Sequence, residues 1–399
     1  MPRTVKVPAR AAKTRKAPQG PPIPDELRPI LRQLDLWVEQ GLLALGDHKD
    51  GEPIRELHLE LTYRCNLKCI MCHHWEMPFK DPASVKREMD LGAIRALVAG
   101  SKLLDGVRQI VLSGGEPMLR ADFDDIVACL AERFPEADIT ILANFWNTEL
   151  VRRRVVALRE RGVKRFFLGS SLDGVGEAHD RIRGQKGAFE GLVKTVEMLR
   201  RDFPDIGFSF SLTVTPKNHE QLWPTYEFVA GLGVGFGAQI VVNHQGYEAP
   251  ETFEWKRKEL DEVAVQIDRI LLDIARREKA MERIVTGKEG ESRWLWDRLL
   301  YWWYLRKYAL KPERFFKDCM AGQRFAMVDP EGNLFYCPVN KHRQIGNVRE
   351  KGLDALWRSK KADDERAFVD SCQCDCWLNC IANPILERLT SKALGNGSR

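Results

Sequence analysis

Between residues 55 and 242 the chain alternates six times between a short apolar run and a longer amphipathic one. Runs at 57–61, 107–112, 138–142, 165–168, 206–214 and 233–242 read as strands, and stretches such as 123–134 and 189–199 read as the helices between them. A strand, a helix and a second strand close into a right-handed parallel unit, because only that hand lets a twisted strand and its helix pack together. Six units in a row predict an α/β fold, a partial (β/α)6 TIM-like barrel. A complete barrel needs eight, so one side is expected to stay open. Chemistry is expected at the C-terminal strand ends, where the loops gather.

The flanks read differently. Residues 1–24 carry Arg3, Lys6, Arg10, Lys13, Arg15 and Lys16 with no acid, which predicts a disordered basic tail. A transit peptide or polyanion-binding arm is the alternative, but the stretch has no amphipathic pattern. Within 25–50, Leu27, Ile30, Leu31, Leu34, Val38, Leu42 and Leu45 recur at helical spacing, with Pro29 tolerated in the first turn. The barrel is expected over 51–245 and a helical bridge over 246–310. That bridge concentrates Trp294, Trp296, Tyr301, Trp302, Trp303, Tyr304 and Tyr308. Large aromatics dominate ordinary packing faces, so it is expected to dock the last module, with a membrane surface as the alternative. A small α+β cysteine-rich domain is expected over 311–385, and a C-terminal tail over 386–399.

Charge excludes little and composition excludes more. Against 62 basic residues stand 57 acidic ones, a mixed surface that does not argue for a nucleic-acid partner. The sequence has no signal-peptide core and no apolar run near the ~18 residues of a membrane span, so a cytoplasmic location is expected. Thiols stay reduced there, and the ten cysteines read as ligands or reactive groups rather than disulfides.

Three of them form a Cys65-x3-Cys69-x2-Cys72 loop directly after the first strand. Three thiolates on one loop can hold three corners of a cubane [4Fe–4S] cluster and leave the fourth iron open. A zinc site would more often show four ligands in paired Cys-x2-Cys spacings. The second strand ends in Gly114, Gly115 and Glu116, where missing Cβ atoms let the backbone pass close to a ligand. Asn144 closes the third strand, Ser170, Ser171 and Asp173 close the fourth, and Arg183 follows in the run 179–184. Singly, each suits a loop cap or surface ion pair equally well. At successive strand ends they form a set.

Over about residues 55–382 that set resembles the radical S-adenosylmethionine (SAM) superfamily. The resemblance implies that Cys65, Cys69 and Cys72 hold a [4Fe–4S] cluster whose open iron is chelated by the amino and carboxylate groups of SAM. It implies that Gly114, Gly115 and Glu116 form the Gly-Gly-Glu motif, with Glu116 on the SAM ammonium. Asn144 would lie near the nucleoside, Ser170, Ser171 and Asp173 near the ribose, and Arg183 would fork onto the SAM carboxylate. Met71 departs from the aromatic that many members place beside the adenine. His73 and His74 are expected to be structural or surface groups, since three cysteines complete the pattern; support of the cluster is the alternative.

Cys319, Cys337, Cys372, Cys374, Cys376 and Cys380 lie in the last module. Their order, with Gly332 five positions before Cys337, resembles the SPASM and twitch auxiliary-cluster domains, while the close Cys372-x-Cys374-x-Cys376 spacing departs from them. Six thiols favour one auxiliary [4Fe–4S] cluster over two, with Cys319, Cys337, Cys376, Cys380 and Cys374 as candidate ligands. Which of Cys372 and Cys374 is a ligand stays open, and zinc is the alternative metal. A spare thiol at Cys372 or Cys374 could donate hydrogen in an epimerisation, whereas a dehydrogenation could pass its second electron to the auxiliary cluster. Cys129, in a helical pattern, reads as a small buried hydrophobe.

The reading is therefore an oxidoreductase or epimerase that cleaves SAM reductively and abstracts hydrogen from a small molecule such as a sugar or polyol. A flavodoxin- or ferredoxin-like donor would supply the electron. Some fifty residues before the barrel are few for a peptide-recognition domain, which places peptide modification second. Lipid modification and a non-catalytic electron-transfer or zinc scaffold are further alternatives.

Overall fold

The computed structural model describes residues 20–44, 54–72, 74–242, 253–316, 319, 321–339, 341, 343–372 and 376–394. In chain order its principal elements begin with α1 (Arg28–Ala44), β1 (Glu56–Thr62), α2 (Leu91–Ala99), β2 (Gln109–Gly114), α3 (Phe123–Arg133) and β3 (Asp138–Leu142). Then come α4 (Thr148–Glu160), β4 (Phe166–Ser171), α5 (Glu177–Arg183), α6 (Ala188–Asp202), β5 (Phe208–Val214), α7 (Leu222–Leu232) and β6 (Gly235–Ile240). The bridge helices are α8 (Arg257–Arg277) and α9 (Arg293–Leu310), and the last module holds β7 (Phe325–Val328), β8 (Asn333–Phe335), β9 (Gly346–Asn347), α10 (Lys360–Ser371) and α11 (Asn379–Leu394).

All six expected strands are present, parallel and in sequence order from β1 to β6, with helices between them. Their alternation sorts the side chains. On β5, Phe208, Phe210, Leu212 and Val214 are buried while Ser209, Ser211 and Thr213 stay partly open. The apolar set joins Leu57, Leu59 and Leu61 of β1 in the main core beneath the helices. Helix starts are fixed locally: the Asp90 side chain accepts from Ala93 N before α2, and Asn147 from Leu150 N before α4.

The last module is not a separate sheet. β7 pairs in parallel with β1, Leu59 opposite Val328, and β8 and β9 continue antiparallel, so one nine-stranded sheet runs β6-β5-β4-β3-β2-β1-β7-β8-β9. An unpaired strand edge offers a row of open N–H and C=O groups, and here the distant C-terminal segment fills the β1 edge.

The aromatic bridge packs inward. Trp296, Trp302 and Trp303 are buried, and only Trp294 of these tryptophans is exposed, at 43%. The Trp377 ring stacks on Tyr301 and Tyr304 with centroids 5.9 and 5.5 Å away, and Trp302 stacks on Phe236. Docking of the last module is thus the work of α9, which leaves little aromatic surface for a lipid. Among the described residues no helix is long and apolar enough to cross a membrane. Inside the bridge, Arg306 and Asp268 form a buried ion pair, Nε to Oδ1 2.6 Å.

Two expected tails differ. Arg306 Nη2 also donates to Pro21 O at 2.8 Å, so residues from 20 onward are packed, while 1–19 lie outside the described residues. Residues 386–394, expected as a tail, complete α11. Ile385, Leu386 and Leu389 share one face and bury it, and a Cβ on Gly41 of α1 would come within 2.8 Å of Leu389 O. Apolar spacing over one and a half turns beside Pro384 is too short a signal to read as a helix without its partner.

Candidate active site

The cysteine loop follows β1 and is held from two sides by backbone. Lys68 N donates to Arg183 O at 3.2 Å and Ile70 N to Ile182 O at 3.0 Å, tying the loop to α5. Gly115 N donates to Thr62 O at 2.7 Å and Glu116 N to Arg64 O at 2.8 Å, tying it to the end of β2. Leu67, Cys69 and Met71 are buried against Ile182, Val241 and Phe253. The glycines serve these contacts. A Cβ on Gly115 would stand 2.2 Å from Arg64 O, one on Gly114 2.5 Å from Thr62 O, and one on Gly184 2.2 Å from Lys68 O. In Gly-Gly-Glu the missing side chains therefore admit the cysteine loop itself, where the sequence suggested a ligand.

Burial dominates the electrostatics. It pushes the Cys65 thiol up to about 12 and Cys72 up to about 11, with the neighbouring thiols adding to the effect. Such thiols ionise only when a cation or iron replaces the lost water. Glu116 is buried too, and its carboxyl is pushed up to about 7 although Asn144 N (2.8 Å) and Met118 N (3.1 Å) donate to it. A buried carboxylate with two amide donors and no cation is suited to an ammonium ligand.

The remaining strand-end residues divide. The Asn144 amide donates to Asn66 Oδ1 at 2.6 Å, joining the third strand end to the cysteine loop. Arg183 reaches Cys69 Sγ at 3.5 Å and stands 2.7 Å from Asp173 Oδ2, a charge contact without hydrogen-bond alignment, while its buried Nε has no partner among the described residues. Asp173, expected at the ribose, is fully buried and accepts from Thr213 N at 2.8 Å, so it braces Arg183 and β5. The Asp173 amide in turn donates to His179 Nδ1, and burial holds that imidazole neutral, at about 3. Register separates the two serines: Ser171 lies beside Ser211 on the partly open face, while Ser170 lies beside Phe210 on the helix-packed face, its hydroxyl without a partner among the described residues. Ser170 is thus turned away from the ligand side expected for it.

A cluster that sequence reasoning missed sits where β1 meets β7. Glu60 is buried, with Oε1 accepting from Lys341 Nζ at 2.7 Å and Oε2 3.5 Å from His74 Nε2. Burial raises its carboxyl, but Lys341, His74 and His58 together hold it below the usual carboxylate range. Tyr63 donates its hydroxyl to Asp329 Oδ2 at 3.2 Å alongside. His74 thus lies against the Glu60–Lys341 ion pair, and His73 lies outside the described residues. The available signal was alternation: Glu56, His58 and Glu60 interleave with Leu57, Leu59 and Leu61, the pattern of a strand with one polar face. That face continues across the sheet through buried Val111 and partly open Thr140, Phe167, Ser171, Ser211 and Thr213.

In the last module Cys319, Cys337, Cys372 and Cys376 act on one another. Burial pushes Cys319 up to about 11, with Cys337 and Cys372 adding, and Cys376 up to about 12, with Cys337, Cys319 and Cys372 adding. Arg314 donates to Val369 O, Asp370 O and Cys372 O at 2.9–3.1 Å, fixing the segment that carries Cys372. Cys374 and the Cys380 side chain lie outside the described residues. Among the described residues no three or more of His, Cys, Asp and Glu converge to the distances of a single metal ion. A cubane places each thiolate on its own iron and suits a wider ring. Cys129 is partly buried against the main core from α3. Cavities of about 400 and 240 Å³ lie along β6, the first walled by Phe236, Trp302 and Arg298 and sharing no residue with the cysteine loop. The second includes Val241 and Trp255, which also pack on that loop.

Residues 59–229 match the family model described as the radical SAM superfamily, and 319–380 match SPASM, an iron–sulfur cluster-binding domain, together more than half of the chain. An AdoMet-dependent heme synthase of Methanosarcina barkeri is 28% identical over 75% of this chain and 81% of its own length. The chain spans only 38% and 39% of the next two curated relatives. Among solved structures, Streptococcus suis SuiB bound to precursor peptide SuiA superposes with a TM-score of 0.56 at 15% identity, over 88% of this chain and 76% of that one. The protein anSMEcpe with bound AdoMet and a peptide gives 0.54 at 16%, over 80% and 84%. These two likenesses are of fold.

Proposed function

The chain belongs to the radical SAM superfamily and carries a C-terminal SPASM domain, and from this we propose that it removes hydrogen from a small polar molecule held on the open face of the sheet. Its cofactors are a SAM-binding [4Fe–4S] cluster, an auxiliary cluster and SAM. When bound, the first cluster and SAM supply the one-electron cleavage that yields the abstracting radical.

One observation carries the substrate class. In a closed barrel the inward side chains fill a dry core, whereas here His58, Glu60, Thr140, Ser171, Ser211 and Thr213 give a largely half-open face its polar groups, between the apolar Val111, Leu142 and Phe167 of the same register. Hydroxyls and charged groups at that face suit a hydroxyl- or carboxylate-bearing substrate. Cys65, Cys69 and Cys72 would hold the first cluster, Glu116 the SAM amino group, and Arg183, Asn144 and Ser171 the remaining polar groups of SAM. Cys319, Cys337, Cys372 and Cys376 would hold the auxiliary cluster. With Cys372 in that set, dehydrogenation is preferred to a Cys372-dependent epimerisation: the substrate would give up one hydrogen atom to the SAM-derived radical, then one electron to the auxiliary cluster and one proton to solvent. A carboxylated tetrapyrrole is the second reading, favoured by the heme synthase matched over most of its length.

The first test is 5′-deoxyadenosine release by anaerobically reconstituted, reduced protein against Cys69→Ala. Release by wild type alone is expected. Deuterated polyols, sugars and coproporphyrin are then compared for label transfer into 5′-deoxyadenosine. Failure to bind SAM at full iron loading would overturn the enzymatic reading, and label transfer from peptides alone would overturn the substrate class.

A further inference from the structure

The cavity of about 400 Å³ beside β6 has no part in the chemistry above, and its walls have a make-up of their own. Two adjacent rows of α9 face it at i, i+4 spacing, Arg293, Asp297 and Tyr301 on one and Trp294, Arg298 and Trp302 on the next. Glu387 of α11 and Phe236 of β6 close the other sides. β6 is the outer strand of the sheet. Val241 N donates to Val214 O at 2.8 Å on the β5 side, whereas Ala238 O accepts from the Tyr301 hydroxyl at 2.9 Å on the outer side. Strand alternation therefore turns the Phe236 N–H and C=O outward, to the edge along which the cavity lies.

Two cations of this wall lack a counter-charge. Arg293 and Arg298 are half-buried, and neither has a carboxylate at ion-pair distance among the described residues. Arg293 Nη1 donates to Ser391 Oγ at 2.9 Å, but its Nε is buried without a hydrogen-bond partner among the described residues. The Arg298 guanidinium stands 5.3 Å from the Trp294 ring centroid. The acids of the same wall are engaged elsewhere, Asp297 by the Thr390 hydroxyl. A buried donor left unpaired is costly, and an anion in the cavity would relieve that cost. The rest of the wall is aromatic: the Phe236 and Trp302 rings are stacked with centroids 6.0 Å apart, and Trp294 is exposed.

We propose that this cavity binds a small planar aromatic carboxylate, its ring against Trp294, Phe236 and Trp302 and its carboxylate on Arg293 and Arg298. The planar fork of an arginine matches a carboxylate, aromatic faces hold a flat ring, and the volume is that of a small-molecule site. One negative charge suits the wall better than the two of a phosphate monoester, because Asp297 and Glu387 stand on it too. The site shares no residue with the cysteine loop and does not depend on the substrate proposed above. A ligand there touches β6, α9 and α11 together, so its binding free energy adds to the hold of the last module on the barrel.

The test uses full-length, cluster-loaded protein, with and without saturating SAM, and 2-naphthoate as the probe. Calorimetry compares it with its neutral isostere 2-naphthamide and with 2-naphthyl phosphate. Naphthoate is expected to bind roughly tenfold or more tightly than the amide, to be indifferent to SAM, and to raise the melting midpoint. Arg298→Gln should reduce naphthoate to the affinity of the amide while leaving amide and SAM binding unchanged, and Trp294→Ala should weaken both naphthalene probes. Equal affinity of acid and amide for wild type, or naphthoate binding that ignores Arg298→Gln, would overturn the anion site. Tighter binding of the phosphate would overturn the carboxylate assignment. Displacement of naphthoate by SAM would put the probe in the SAM site and overturn the separate cavity.

Discussion

Glu116 shows what burial does to a charge that lacks its partner. Its carboxyl titrates near 7 because burial penalises the anion by more than two amide donors restore. The folded value lies above the unfolded one, so this group stabilises the SAM-free fold most below about 4.5 and loses that contribution as the pH rises toward 7. An iron-bound amine donating to it reverses the preference, and at pH 6 SAM binding is expected to release the Glu116 proton together with the one the SAM amino group loses on coordinating iron. Calorimetry in buffers of different ionisation enthalpy measures that release, and Glu116→Gln should lower it by close to one proton; an unchanged release would argue against the contact between Glu116 and the amino group. Cys372 makes a second residue-scale case. Cys372→Ser is expected to remove the auxiliary cluster, about half of the iron and sulfide of a two-cluster protein, while Cys374→Ser retains it. Loss from Cys374→Ser with retention by Cys372→Ser would put Cys374 in the set instead.

At the scale of elements, the site depends on close backbone passage. Gly184 and Gly187 both have positive φ, +63° and +79°, but a Cβ on Gly187 meets open space while one on Gly184 meets the cysteine loop. Alanine at Gly187 is expected to cost about 1–2 kcal/mol, the ordinary penalty of that backbone region. Alanine at Gly184 should cost more, because Lys68 O cannot yield without moving the loop, and the first cluster should load poorly. Urea titration and iron content compare the two; matched behaviour would mean the loop can shift freely. The βαβ alternation was legible because each strand buries one apolar face. The Glu60 cluster was not, since its partner Lys341 lies 281 positions away and nothing local marks the pairing.

For the whole molecule, β7 on the β1 edge couples the last module to the barrel. Melting the module alone would strip hydrogen bonds from β1, so a single cooperative transition is expected. Trp377→Ala, which removes the stack on Tyr301 and Tyr304, should lower the midpoint by the equivalent of about 3–5 kcal/mol without splitting the transition. Two separated transitions, seen by near-ultraviolet and far-ultraviolet dichroism, would show that the module folds independently.

The sequence alone determined the order and type of the barrel elements, the Cys65–Cys72 triad and the Gly-Gly-Glu turn, because hydrophobic period and ligand spacing are local properties of a chain. Tertiary structure decided what depends on distant partners: that Gly115 and Gly184 make room for the loop, that Asp173 braces Arg183, that Ser170 turns into the core, and that 386–394 is helix. It also brings Cys372 near enough to Cys319 and Cys376 for the thiols to act on one another. Each of these follows from which surfaces meet, and burial against a remote segment leaves no period in the sequence to read.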